Sequence, residues 1–250
     1  MPDPTLEPTP DPVTDAGPAP DGDPDDLDLG EATRRLIRTA DGLADERYAE
    51  PSGLPGWTRA HVLAHLALNA EGLAGALTGI VEGQRVPMYG SQESRDGDID
   101  DLAAQDPSDI RTRLLGSCTD LDDALAAVPP DAADTTIDRV PRGRTFTVAE
   151  VPWMRLREVE VHHADLDAGY GPDAWTPAFS AHVLDAMLTR GAWSTPFTAR
   201  PTDLDRAWTY GEGGPVVAGR AADLAWWLTG RGAGDGLTCD GGALPRIGAW

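Results

Sequence analysis

The sequence EVEVHHAD, residues 158–165, places a carboxylate and an imidazole four positions apart in one apolar-periodic segment. The segment begins near Val148, and its periodicity predicts a helix. Residues four apart lie on the same face of a helix, so Glu158 and His162 can point toward a single ion. A simpler interpretation is an exposed polar pair that stabilises the helix by about 0.2–0.5 kcal/mol. The spacing alone leaves both interpretations open.

A second histidine-bearing segment could complete a metal site. The sequence HVLAH, residues 61–65, also reads as helix and offers His61 and His65 as donors. Three protein ligands from two helices would leave one coordination position open, as in catalytic rather than structural metal sites. The spacing does not decide which of the two histidines would take part.

The composition excludes several classes of function. The 250 residues are 40% hydrophobic, which is enough for a buried core in one or two domains. The formal net charge of -22 argues against a nucleic acid or an anionic membrane as partner. Cys118 and Cys239 are too few for a disulfide framework or a cysteine-based zinc site. No signal peptide or membrane-length apolar run is present, so we expect a soluble, cytoplasmic protein.

The pattern of elements predicts an α+β protein with three regions. Residues 1–29 are rich in proline and acids and contain no basic residue, so we expect a disordered acidic tail. Residues 30–172 contain four predicted helices with short connections, which is typical of a four-helix bundle. Residues 173–250 predict a small α+β domain. The bundle helices are expected at about 31–48, 58–77, 107–128 and 148–169, with a loop or short helix at 79–100 and a strand or loop at 136–147. The C-terminal helices are expected at about 177–191 and 220–229, and the strands at 207–210 and 215–217.

Four motifs, taken together, resemble one protein family. They are LPGWTRAHVLAHL at 54–66, MYGS with RDGDI at 88–99, RLREVEVHHADL at 155–166 and GRAADLAWWLTGRG at 219–232. From about residue 31 to residue 250 the chain resembles the mycothiol-dependent maleylpyruvate isomerase family. The resemblance implies a DinB-like four-helix bundle that binds a divalent metal, usually zinc, followed by a small α+β C-terminal domain.

The resemblance also implies roles for particular residues. The family holds its metal with one histidine of the second helix and a Glu-x-x-x-His pair of the fourth, which correspond to His65, Glu158 and His162. The ligand histidine of DinB-like proteins lies eight residues after a tryptophan, and this selects His65 over His61. An arginine of the family's C-terminal domain, thought to contact substrate or thiol, corresponds to Arg231.

Arginines are the expected anchors for an anionic substrate in so acidic a chain. The guanidinium fork matches a carboxylate with two parallel hydrogen bonds. Arg95, Arg157 and Arg231 are the candidates, and the simpler interpretation of each is a surface arginine or an intramolecular ion pair. The adjacent Trp226 and Trp227 are expected to form core packing between the domains rather than to line a cofactor pocket.

The implied reaction is the cis-trans isomerisation of maleylpyruvate to fumarylpyruvate. A mycothiol thiolate would add to the double bond, the adduct would rotate, and the thiolate would leave; a bound metal would favour the thiolate. Neither Cys118 nor Cys239 is then needed as nucleophile. The partners are a small anionic electrophile and a low-molecular-weight thiol, and we expect a monomer. One alternative is a mycothiol S-transferase acting on another electrophile. A second is a non-catalytic binding protein, against which the intact ligand set argues.

Overall fold

The computed structural model of this chain describes residues 28–188, 193 and 195–248. Within them the protein is helix-rich, with seven α-helices and two small sheets, which confirms the predicted α+β class. The chain forms two compact units, of which the larger is Asp28–Gly171 and the smaller begins at Pro172. The predicted acidic tail lies outside the described residues as far as residue 27. Its last two residues belong to the first helix, where Asp28 is the N-cap.

The larger unit contains five helices and a hairpin. The helices are α1 (Leu29–Gly42), α2 (Arg59–Val81), α3 (Gln92–Ala103), α4 (Pro107–Ala127) and α5 (Val151–Asp165). The strands β1 (Thr136–Asp138) and β2 (Thr145–Thr147) pair antiparallel. The first helix is shorter than predicted, because a separate 3-10 turn occupies Asp45–Ala49. The stretch expected to be a loop or a short helix contains α3.

Helix α2 lies at the centre of this unit and packs against α3, α4 and α5. Its N-terminus is fixed by a capping box, in which the Thr58 hydroxyl accepts from the backbone N–H of His61 at 3.4 Å and the His61 ring accepts from the N–H of Thr58 at 3.3 Å. Its apolar side chains are buried as their spacing predicted. The predicted core positions with at most 1% exposure are Val62, Leu63, Leu66, Leu73 and Leu77.

Helix α5 packs against both α1 and α2, so its polar residues are buried as well as its apolar ones. It ends at Asp165, earlier than the predicted end at Gly169. The turn that follows is held from two directions. The N–H of Gly53 donates to the Asp165 carbonyl at 2.7 Å, and the buried Arg59 side chain donates to the carbonyl of Leu166 at 2.7 Å. These bonds satisfy the free carbonyls at the helix end and tie it to the start of α2.

The smaller unit is a four-stranded sheet with two helices, α6 (Pro177–Leu188) and α7 (Ala221–Leu228). Its strand order is β4-β3-β5-β6, and β3 runs parallel to β5. The strands are β3 (Phe197–Pro201), β4 (Trp208–Tyr210), β5 (Val216–Gly219) and β6 (Thr238–Cys239). The sequence predicted β4 and β5 but missed β3 and β6. The predicted end of α6, at 189–191, lies outside the described residues.

Aromatic packing holds the sheet of the smaller unit. The Trp227 ring lies 5.3 Å from that of Phe197, and the Phe197 ring lies 4.9 Å from that of Tyr210. Trp227 is therefore a core residue of this unit. Among the described helices, none combines the length and the apolar character that a membrane span requires.

Candidate metal centre

His65 of α2 and the pair Glu158 and His162 of α5 form one buried cluster. Their donor atoms all lie within 4.8 Å of one another. The His65 Nε2 is 2.9 Å and the His162 Nε2 3.3 Å from the same Glu158 Oε2. Glu158 is 8% exposed and His162 only 2%. The burial rules out the interpretation of these two residues as an exposed polar pair.

The two histidines of α2, His61 and His65, have different surroundings. His61 faces the helix N-terminus, where its Nδ1 lies 2.6 Å from the Thr58 hydroxyl and its Nε2 lies 3.6 Å from a carboxylate oxygen of Asp100. His65 lies one turn further on, and its ring meets the His162 ring edge-on at 4.6 Å. Of the two, His65 is the one that the fold brings to Glu158 and His162.

Asp165 orients the imidazole of His162. Its Oδ2 lies 2.8 Å from His162 Nδ1, and its side chain is only 1% exposed. An Nδ1–H that donates to this carboxylate leaves the lone pair of Nε2 directed at the cluster, which is the arrangement found behind most metal-binding histidines. No role for Asp165 was predicted from the sequence. Its position three residues after His162 on the same helix was the available signal.

Arg95 of α3 contacts the other histidine. Its Nη2 lies 3.0 Å from His65 Nδ1, and the guanidinium is 3% exposed. Since a guanidinium only donates, Nδ1 accepts and the proton of neutral His65 is on Nε2, from where it is donated to Glu158. Arg95, predicted as a substrate-binding candidate, is thus brought directly against the cluster.

Burial and mutual contact set the charges of the three residues. Burial raises the pKa of Glu158, but hydrogen bonds from His162 and His65 outweigh it and hold that pKa well below its usual range. Burial lowers the pKa of His162, yet the carboxylates of Asp165 and Glu158 raise it above the ordinary value overall. Burial lowers the pKa of His65 to about 3. Without a metal, the cluster therefore holds one carboxylate, one neutral imidazole and one readily protonated imidazole.

The donor set fits a divalent cation. Two imidazole nitrogens and one carboxylate oxygen are ligands that zinc accepts, once Nε2 of His65 has given up the proton that it donates to Glu158. Three protein ligands leave room for a further one. Neither cysteine belongs to this cluster. Cys118 is buried on α4 with its Sγ 3.5 Å from Arg155 Nη2, and Cys239 belongs to β6 of the smaller unit.

The other two candidate arginines are also buried. Arg157 precedes Glu158 on α5 and is 2% exposed. Arg231 belongs to the smaller unit, where its Nη1 donates to the Thr229 carbonyl at 3.2 Å and its guanidinium lies 5.8 Å from the centre of the Trp226 ring. Neither is the exposed surface arginine of the simpler interpretation.

Two residues near the cluster, Tyr89 and Arg139, were not predicted from the sequence. The N–H groups of Met88 and Tyr89 donate to the carbonyls of Asp138 at 2.9 Å and Arg139 at 3.0 Å, so this segment runs beside β1. The Tyr89 ring centre then lies 5.7 Å from the guanidinium of Arg95 and 5.5 Å from that of Arg139. Burial raises the pKa of Tyr89, Arg95 opposes the rise, and the charge of Glu158 adds to it. Tyr89 and Arg139 thus belong to the surroundings of the cluster.

Comparison with known proteins identifies similar chains. Residues 29–167 match the family model described as the mycothiol maleylpyruvate isomerase N-terminal domain. The crystal structure of the mycothiol-dependent maleylpyruvate isomerase is similar over 90% of this chain and 98% of that chain, with a TM-score of 0.81 and 27% sequence identity. The crystal structure of a mutant of that enzyme with one histidine changed to alanine gives the same values. No match was found among curated protein sequences.

Proposed function

The chain belongs to the mycothiol maleylpyruvate isomerase family, and from this premise we propose that it is a metal- and mycothiol-dependent isomerase that converts maleylpyruvate to fumarylpyruvate. The observation that supports it most directly is the buried cluster of His65, Glu158 and His162. The proposal includes zinc as the metal, a monomeric protein and a cytoplasmic location. The electrophile is small and anionic, and the thiol comes from solution.

The reaction follows from the chemistry of an activated double bond. A C=C bond does not rotate at ambient temperature, so the thiolate sulfur first bonds to one alkene carbon, and the π electron pair moves to the conjugated carbonyl. The resulting single bond rotates. The electron pair then returns, the C–S bond breaks, and the trans product and the thiolate separate. No atom is gained or lost, and the thiol is regenerated.

The thiol needs activation, because the ordinary pKa of a thiol, about 8.5, leaves it mostly protonated near neutrality. A divalent ion at the cluster would supply the Lewis acidity that favours the thiolate. Residues of this chain orient the ligands for that ion. Asp165 holds the His162 Nδ1–H so that Nε2 faces the cluster, and burial of Glu158 keeps competing water away. Arg95, Arg157 and Arg231 remain the residues proposed to bind carboxylates of the electrophile or the thiol.

Metal content and product analysis together test this function. Purified protein is expected to hold about one zinc per chain, and His162→Ala to lose it. His61→Gln is the matched control, because glutamine at this position keeps the capping box with Thr58 and lies outside the cluster. The control should retain both zinc and activity. Zinc-free protein that turns over at the wild-type rate would refute the mechanism.

The fate of the thiol separates the isomerase from the S-transferase. Maleylpyruvate and mycothiol are mixed with the zinc-loaded protein, and free thiol is titrated as the absorbance changes. An isomerase regenerates the thiol, so its concentration stays constant while product accumulates. Consumption of one thiol for each electrophile would instead identify a transferase.

A further inference from the structure

The hairpin formed by β1 and β2 carries a local excess of positive charge. Its connecting sequence RVPRGR, residues 139–144, contains three arginines and no acid, in a chain whose formal net charge is -22. A chain of this charge repels dianions over most of its surface, so an anionic substrate needs a local positive field near the reaction site. The hairpin is one place in the sequence where such a field is concentrated.

The backbone of the hairpin brings two of these arginines together. Arg139 N–H donates to the Arg144 carbonyl at 2.9 Å, which extends the β1–β2 pairing by one position, and Gly143 N–H donates to the Val140 carbonyl at 2.9 Å to close the turn. Arg142 occupies the turn with φ of 59° and is exposed.

Arg139 lies beside Tyr89 and interacts with the charge of Glu158. Its guanidinium lies 5.5 Å from the Tyr89 ring centre, and its Nη1 donates to the Gln92 side-chain oxygen at 2.8 Å. Burial lowers the pKa of Arg139, the charge of Glu158 raises it, and the charge of Arg144 lowers it further. Arg139 is thus half-buried, within electrostatic reach of the cluster carboxylate and close to a second positive charge.

Arg95 approaches the same aromatic ring from α3. Its guanidinium lies 5.7 Å from the Tyr89 ring centre, while its Nη2 contacts His65 Nδ1 at 3.0 Å. Tyr89 therefore contacts two guanidinium groups. That of Arg95 also contacts the metal-site histidine His65, and that of Arg139 belongs to the hairpin. Two guanidinium groups that contact the same ring and are partly removed from water are stabilised when an anion binds beside them.

We propose that Arg139 binds one carboxylate of the electrophile beside the metal cluster and that Arg139 and Arg95 together make the site selective for dicarboxylates. This inference rests on the proposed function, which places the electrophile at the cluster. The inference adds Arg139 as the residue that binds one of the two carboxylates of the electrophile. The guanidinium fork of Arg139 can form two parallel hydrogen bonds to that group.

The test compares two small cis-alkene acids as binding probes, maleate with two carboxylates and isocrotonate with one. Calorimetric titration of the zinc-loaded full chain gives the Kd of each. Wild-type protein is expected to prefer maleate. Arg139→Gln should weaken maleate binding by about tenfold or more, since a charge-assisted pair is lost, while the Kd of isocrotonate changes much less.

Arg142→Gln is the matched control, because it removes the same charge from the same hairpin at its exposed turn. We expect its maleate Kd to stay within about threefold of wild type, and melting curves to show that both variants are folded. An unchanged maleate Kd in Arg139→Gln, an equal loss in Arg142→Gln, or no preference of wild type for maleate would each overturn the inference. Zinc content is measured separately. Protein that turns over at the wild-type rate without zinc refutes the proposed function, whereas the maleate and isocrotonate Kd values still report on Arg139.

Discussion

Replacing Asp165 by asparagine should weaken zinc binding at the cluster without changing any of its three ligands. The carboxylate of Asp165 lies 2.8 Å from His162 Nδ1 and is 1% exposed, so solvent does not screen the interaction. Asparagine has the same shape and retains an oxygen that can accept the Nδ1–H. The substitution therefore removes the negative charge and keeps the hydrogen bond.

The expected magnitude follows from that difference. A hydrogen bond to a charged group contributes about 1.5–3 kcal/mol and a neutral one about 0.5–1.5 kcal/mol. A difference of about 1–1.5 kcal/mol corresponds to zinc affinity that is weaker by about 5- to 12-fold. Asp165→Ala also leaves the buried Nδ1–H without its carboxylate, and we expect a larger loss, about 30- to 100-fold.

The affinities can be measured by competition with a zinc-binding chromophore, and melting curves check that each variant is folded. Asp167→Asn is the control. It makes the same chemical change two residues further on, at an exposed position with φ of 50° that asparagine adopts readily. The control should bind zinc like wild type. Wild-type affinity in Asp165→Asn, or an equal loss in Asp167→Asn, would refute the assigned role of Asp165.

Two further predictions concern protons and packing. Because Asp165 and Glu158 raise the pKa of His162 despite its burial, zinc must displace a proton from His162 at pH values below that pKa. In that pH range the apparent zinc affinity should fall about tenfold for each pH unit of acidification. Calorimetry in buffers of different ionisation enthalpy should show about one proton released per zinc ion bound. A zinc affinity that does not change with pH would contradict this prediction. Arg59→Met should lower the free energy of unfolding in urea by about 2–4 kcal/mol, since the carbonyl of Leu166 loses its buried donor. The control is Arg113→Met, which breaks the solvent-exposed pair between Arg113 and Glu71 and should lower the free energy of unfolding by at most about 1 kcal/mol. Equal losses in the two variants would argue against the role of Arg59.

The sequence predicted the bundle helices and their buried faces well because these depend on local periodicity. The buried side of α2 and the proline-led start of α4 appear where the pattern placed them. The ends of elements were less certain. The first helix and α5 both end early, because a 3-10 turn follows one and contacts from Arg59 and Gly53 fix the end of the other. Those contacts come from residues more than 100 positions away from the end of α5.

For the site, the sequence by itself determined that Glu158 and His162 share a helical face, since four residues make about one turn of a helix. It also supplied Asp165 on the same helix. Helical spacing left His61 and His65 open, the family resemblance selected His65, and the tertiary structure brings His65 to the pair. Only the tertiary structure decided that Arg95, Tyr89 and Arg139 lie around the cluster. The physical reason is that a helix sets the relative directions of its own side chains, whereas separate elements are placed by long-range packing and backbone pairing, such as that of residues 88–89 with β1.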